Sequence, residues 1–246
     1  MRAKLNKKEI EKFSRQIILK NVGALGQRKI REAKVLIIGM GGLGCPAAEF
    51  LIRSGIGTLG LADYDKVGLS NIHRQILYSE KDINKSKVKI SKKKLNEINP
   101  KTRINIFDYK LDKIKLNKII KDYDYIIDGT DNFESKFLIN DLSLKYKKFL
   151  VAGAISKFDG HIFNFDFKIK KNPSLRDFYQ EDVFTNDILN CEYDGILGTV
   201  AGIVGTMQAN EILKKILNIG QNLNGFVLIL DLLNLSIRRV KLRKRK

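Results

Sequence analysis

The chain has 246 residues, 43% hydrophobic and 30% charged, which suits one α/β domain of ordinary size and excludes a wholly disordered chain. Its 46 Lys and Arg against 27 Asp and Glu give a formal charge of +19, a field that attracts anions. Two cysteines, Cys45 and Cys191, and two separated histidines, His73 and His161, exclude a disulfide scaffold, a four-thiolate metal site and a paired-histidine metalloprotease motif.

Lysines run through the whole chain, solvated faces such as Lys87–Lys94 included, and no basic stripe alternates with aromatics. The charge therefore reads as compositional, and a nucleic-acid partner is not expected. No apolar run is long enough to cross a bilayer, and MRAKLNKKEIEKF lacks the apolar centre of a secretory signal, so a cytoplasmic protein without membrane contact is expected.

In chain order, residues 1–33 read as an N-terminal helical arm, helical from about residue 7, with Phe13, Ile17 and Ile18 on one side and an end near Gly23 and Gly26. Ala33–Gly39 is a continuous apolar run bounded by glycine, the pattern of a strand buried on both faces. A helix over Leu43–Ser54 and a strand over Thr58–Ala62 close a βαβ unit. Ser86–Ile98 is predicted helical and is broken by Asn99-Pro100; Ile104–Phe107 and Tyr123–Asp128 are predicted strands. A helix over 132–147 and strands over Phe149–Ala154 and His161–Phe167 follow. Residues 168–197 form a polar crossover stretch, functional or mobile by its length. Gly198–Asn218 is predicted helical, FVLILDLLNLSIRRVKL gives two closing strands, and Arg243–Lys246 is a basic tail. Without internal repeats or a Pro/Ser linker, the reading is one domain, 1–246.

The turn Gly39-Met40-Gly41-Gly42-Leu43-Gly44 carries the three glycines of the dinucleotide fingerprint between a strand and a helix, where backbone approaches phosphate and a helix N-terminus faces negative charge. Asp63 and Asp65 follow about twenty residues on, where a carboxylate can accept from ribose hydroxyls. The expected fold is thus a Rossmann-like, doubly wound, mostly parallel sheet with helices on both faces and antiparallel closing strands. Beyond this point the chain departs from a dehydrogenase. Ser70, Asn71, Arg74 and Gln75 follow the ribose acid, and Lys87 opens the next helix; these suit a triphosphate whose charge must be neutralised as a bond breaks. Asp131 and Asn132, in Asp128-Gly129-Thr130-Asp131-Asn132, end the fourth strand, and Asp131 is placed for magnesium, which takes one or two carboxylates plus phosphate oxygens.

With FSRQI (13–17), GMGGLG (39–44), LADYD (61–65), LSNIHRQ (69–75), NKSKV (84–88), INP (98–100), DGTDN (128–132), NC (190–191) and GTMQANEILK (205–214), the chain resembles the E1-like adenylyltransferases that activate ubiquitin-like sulfur carriers in molybdopterin and thiamine synthesis. The resemblance implies ATP on the glycine turn, Asp63 on the ribose, Asn71, Arg74 and Lys87 on the phosphates, and Asp131 positioning Mg2+. It implies that Arg15 reaches the ATP site of a partner subunit in a homodimer, and that the carrier's C-terminal Gly-Gly carboxylate attacks the α-phosphate. Cys191 matches a cysteine that in some members forms a thioester or persulfide, although Glu192 and Asp194 beside it disfavour a thiolate. Relatives often carry two Cys-x-x-Cys pairs for a structural zinc. Here Asn172–Asp177 stands in the first place and the second is missing, so no zinc is expected and the 168–197 stretch is expected to be more mobile than in zinc-bearing members. Lys136 stands where the family usually has arginine. The alternative reading is an ATP-dependent tRNA-modifying dehydratase of the same superfamily, which the positive charge favours and the acid-amide pair at 131–132 disfavours.

Overall fold

The N-terminal arm is three short helices, α1 (Lys7–Lys12), α2 (Ser14–Ile17) and α3 (Gly23–Glu32), in the computed structural model, which describes residues 4–170, 172–179 and 195–244. Asn6 caps α1 reciprocally: its side chain accepts from the Glu9 amide and the Glu9 carboxylate accepts from the Asn6 amide, each at 2.9 Å. The glycines expected to end the arm instead open α3 and let it pack. Gly23 adopts φ +59°, and a methyl at Gly26 would meet Leu217 at 2.7 Å. Phe13 is buried against Gly55, but Ile18 is exposed, so the apolar side of the arm is narrower than the sequence pattern implies.

The described strands form one eight-stranded sheet. In chain order they are β1 (Lys34–Ile38), β2 (Thr58–Ala62), β3 (Arg103–Phe107), β4 (Tyr125–Asp128), β5 (Phe149–Ser156), β6 (Asp159–Asp166), β7 (Phe226–Asp231) and β8 (Ser236–Lys241). Their spatial order is β3-β2-β1-β4-β5-β6-β7-β8, parallel from β3 to β5 and antiparallel from β5 to β8, as expected. On β1, Val35 and Ile37 enter one apolar cluster and Leu36 and Ile38 the other, so the strand has no solvent face. The first cluster includes Leu51 of α4 (Gly44–Arg53) and Leu95 of α5 (Lys87–Ile98); the second includes Leu116 of α6 (Lys113–Ile119) and Ile139 of α7 (Phe133–Lys145). Two further helices are α8 (Leu175–Phe178) and the long α9 (Gly198–Leu217), which ends on left-handed Asn218 and packs against α4.

The predicted elements lie within two residues of these bounds. The exceptions are the segmented arm and the helices α6 and α8, which the sequence reading does not name. Strand β6 begins at Asp159, ahead of His161, because left-handed Lys157 turns a tight hairpin after β5. Strand β8 is exposed along its whole length, with Arg238, Arg239 and Lys241 beside Ile237 and Val240. Among the described residues no helix is long and apolar enough to cross a membrane.

Candidate functional site

Strands β2 and β4 flank β1 on opposite sides, so the crossovers diverge there and the carboxyl ends of the strands open a crevice. A cleft of about 710 Å3 occupies it. It gathers Gly39, Gly41 and Gly42 from the turn after β1, Asp63 and Asp65 from the end of β2, Ser70, Asn71, Arg74 and Gln75 from the next loop, Lys87 from α5, and Asp131 and Asn132 from the end of β4.

The glycines divide by role. Gly39 adopts φ +91° and lies so close to the Gly129 carbonyl that a methyl would sit 2.7 Å from it. Gly44, expected to bind ligand, does not line the cleft: a methyl there would be driven into the Gly39 carbonyl, so it is required for packing the turn. Gly41 alone is open toward the cleft, meeting only the end of the Gln75 side chain at 3.5 Å.

Asp63 ties the turn to β2. Its two oxygens accept from the Met40 amide at 2.7 Å and the Asp65 amide at 2.8 Å, which orients the carboxylate at the cleft wall. Burial raises the Asp63 carboxyl above its ordinary range, opposed by the nearby Lys87 charge. Lys87 itself is buried, with its ammonium 2.9 Å from Asp65, so a cation is held at the floor of the cleft by a carboxylate that is half exposed. Arg74 donates to the Ser70 carbonyl at 2.8 Å and lies 2.8 Å from the His73 ring, so His73 braces the guanidinium as well as spacing its neighbours. The Asn71 side chain accepts from the Gly68 amide and closes the turn.

On the β4 side the two acids separate. Asp128 is fully buried and spent: it accepts from the Thr130 amide and hydroxyl at 2.9 and 2.6 Å and from Lys136 at 3.2 Å. Lys136 also donates to the Gly153 carbonyl at 2.6 Å, work for a point donor rather than a guanidinium fork. Asp131 stays exposed at the cleft, and Asn132 caps α7 by accepting from the Ser135 amide. A recess of about 50 Å3 lined by Phe133, Lys136 and His161 opens beside Asp131. His161 sits there as the third residue of β6, its pKa lowered by burial.

Arg15 does not line the cleft; it is exposed on α2. Cys191 lies outside the described residues, as does most of the 168–197 stretch. The described part of that stretch is anchored where relatives were expected to hold zinc ligands. Asn172 donates to the Asp166 carbonyl and Asn224, the Leu175 amide donates to Asn140, and Arg176 pairs bidentately with Asp141 at 2.8 and 2.7 Å. Cys45 is buried beneath the turn, as a packing residue should be, its thiol pushed up to about 12 by burial. Lys110, Leu111, Tyr64 and Thr130 also line the cleft and were not picked out from sequence. Lys110 and Leu111 follow β3 in a loop without a motif, whereas Thr130 stands inside DGTDN and carries a hydroxyl that could have marked it.

The cleft thus brings the glycine turn together with the Arg74 and Lys87 cations and the Asp63, Asp65 and Asp131 carboxylates. The buried Gln75 Oε1 has no hydrogen-bond partner among the described residues, while the Nε2 end of the same side chain lies nearest Gly41. Residues 13–246 match the ThiF family model, and the chain belongs to that family. It is 40% identical over 238 residues to "Probable molybdopterin-synthase adenylyltransferase" of Gracilaria tenuistipitata var. liui, covering 97% of this chain and 66% of that protein. It is 38% identical over 243 residues to "Adenylyltransferase and sulfurtransferase MOCS3" of Drosophila persimilis, covering 99% of this chain and 53% of that one. It is 34% identical over 241 residues to "Sulfur carrier protein adenylyltransferase" of Thermus thermophilus, covering 97% of this chain and 89% of the relative. The chain thus spans between about half and two thirds of the first two relatives. The fold is shared with E. coli MccB, crystallised with ATP, at TM-score 0.84 and 19% identity, covering 98% of this chain and 73% of that one. Selenomethionine PaaA shares it at TM-score 0.81 and 24% identity, covering 98% and 76%.

Proposed function

We propose that this chain is a single adenylation domain that uses ATP to activate the C-terminal Gly-Gly carboxylate of a small ubiquitin-like sulfur-carrier protein. The observation that carries this reading is the cleft itself. Residues spread from Gly39 to Asn132 converge there as a glycine turn, an oriented carboxylate, two cations and the exposed Asp131 carboxylate, alongside relatives named for adenylyl transfer. The site suits the nucleotide: Gly41 leaves room where a phosphate would lie, beside the Arg74 and Lys87 cations.

In this reading Asp63 holds the ribose, Asn71, Arg74 and Lys87 hold the phosphates, and the carrier carboxylate attacks the α-phosphorus. A bond forms between a carboxylate oxygen and the α-phosphorus as the α-phosphorus–oxygen bond to pyrophosphate breaks, leaving the carrier acyl-adenylate and free pyrophosphate. No protein nucleophile is needed; positioning and charge stabilisation suffice. Asp131 would hold Mg2+ together with phosphate oxygens, and the ion supplies neutralisation of the charge on the leaving pyrophosphate. Arg15, exposed on α2 and not lining its own cleft, serves the site of a second subunit in a homodimer. The domain works in the cytoplasm.

Carrier-dependent ATP–pyrophosphate exchange tests this, with a panel of Gly-Gly-ending carriers and Asp131→Ala as control. Exchange with one carrier, reduced at least about a hundredfold by the substitution, is expected. Absence of exchange with every carrier while ATP still binds overturns the reading in favour of the tRNA-directed alternative.

A further inference from the structure

Beneath the glycine turn lies a polar cluster that the reading above does not use. The Met40 peptide is held from both sides. Its amide donates to Asp63 at 2.7 Å, and its carbonyl accepts from the Tyr78 hydroxyl at 2.9 Å and from the Cys45 thiol at 3.4 Å. Met40, Cys45, Tyr78 and Ser91 are all buried. A tyrosine hydroxyl has one proton and two lone pairs. With the proton given to Met40, its oxygen accepts from Ser91 Oγ, 2.9 Å away on α5. The carbonyl of Lys87 lies 3.4 Å from the same hydroxyl. The Tyr78 amide donates to the Gln75 carbonyl at 3.0 Å, which joins the hydroxyl to the loop bearing Arg74 and Gln75. Tyr78 thus links three cleft-lining pieces: its hydroxyl reaches the glycine turn and the start of α5, and its amide reaches the 70–75 loop.

Met40 is flanked by Gly39 and Gly41, so backbone sterics leave its peptide planes free to rotate. The strongest bonds that hold them are the amide's to Asp63 on one side and the Tyr78 hydroxyl's to the carbonyl on the other, with the longer Cys45 contact beside the latter. Burial pushes the Tyr78 hydroxyl far above its ordinary range and the Cys45 thiol to about 12, so both stay protonated donors at neutral pH.

We propose that Tyr78 is a positioning residue for the ATP phosphates: its hydroxyl fixes the Met40 peptide, and so the glycine turn, in register with Lys87 and Arg74. The proposal rests on the reading of the cleft as an ATP site. Tyr78→Phe keeps the ring and removes one oxygen, and calorimetric titration of the full chain with ATP and with adenosine separates the possible roles. The expected result is ATP binding weakened about tenfold, the worth of one buried hydrogen bond, with adenosine binding changed less than about twofold. A merely structural tyrosine lowers the melting temperature and moves both affinities or neither, and either pattern overturns the proposal. Ser91→Ala, which keeps the tyrosine but removes the hydroxyl that orients it, is expected to weaken ATP about threefold and spare adenosine; unchanged ATP affinity in this variant also overturns it. A native chain that does not bind ATP at all overturns the underlying reading, and this is seen before any variant is compared.

Discussion

Gly41→Ala separates binding from folding at a single methyl group. Gly41 is free of the left-handed conformation that Gly39 adopts, and the added methyl meets only the terminal nitrogen of Gln75 at 3.5 Å, an ordinary contact. The fold should therefore accept alanine and gain about 0.4–1 kcal/mol from a stiffer unfolded chain. For a chain of this size that raises the melting temperature by about 1–4 °C. In the cleft the same methyl stands where a phosphate must approach backbone. If displacing the phosphate costs as much as overpacking, about 1–3 kcal/mol, ATP binds about 5- to 150-fold more weakly. Gly39→Ala is the contrast: positive φ and the 2.7 Å approach to the Gly129 carbonyl predict a loss of about 2–5 kcal/mol of stability. Differential scanning calorimetry and ATP titration on the same preparations check both. A Gly41→Ala chain that binds ATP as the native chain does, or that melts several degrees lower, would refute the division of roles among the glycines.

Three further outcomes follow from named contacts. Lys136→Met leaves the buried Asp128 carboxylate without its cation and should cost about 3–5 kcal/mol in urea denaturation at unchanged slope; a loss below about 1 kcal/mol contradicts the pairing. At Asp82, burial alone would raise the carboxyl, but hydrogen bonds from Lys94 and from the Ser79 hydroxyl and amide outweigh it and hold it at about 2. A depressed folded pKa stabilises above the unfolded value and loses that stabilisation as pH falls, so the native chain should weaken between about pH 5 and pH 2 more steeply than Asp82→Asn. Parallel profiles for the two would rule that out. If Arg15 serves a partner's site, mixing inactive Arg15→Ala and Asp131→Ala chains should restore exchange from one working site per mixed dimer, and a mixture as silent as its components would remove the in-trans role.

Much of this was readable because the sequence uses residues whose roles are set locally. The glycine turn, the acid about twenty residues later and the DGTDN loop each sit at the end of a strand, and a parallel sheet with one switch point can only bring those ends together. What escaped depends on tertiary neighbours. Gly23 and Gly26 look like helix terminators, yet one supplies a left-handed turn and the other a close approach to Leu217 from α9, some 190 residues away in sequence. Helix α6 was missed because Lys113–Ile119 is short and mixes lysine with isoleucine; its visible signal, the Asp112 cap on the Lys115 amide, is a single residue. Gly44 fits the fingerprint and still faces the packing side of the turn, since a motif records that glycine is required without recording why. Tyr78 carries no motif at all, and its hydroxyl acquires meaning only when the loop folds beneath Met40.

The exposed last strand has a consequence for the protein as a colloid. An edge strand with both faces in solvent offers its peptide groups to any other chain that presents the same edge. Here Ile237 and Val240 would make that contact adhesive, and Arg238, Arg239 and Lys241 make it repulsive. The protection is purely electrostatic, reaching about 10 Å at 0.1 M salt and only about 3 Å at 1 M. Concentrated brine therefore strips the guard while leaving the adhesive groups in place. An accumulation of neutral replacements on this one strand would remove that repulsion and favour self-association without altering a single atom of the cleft.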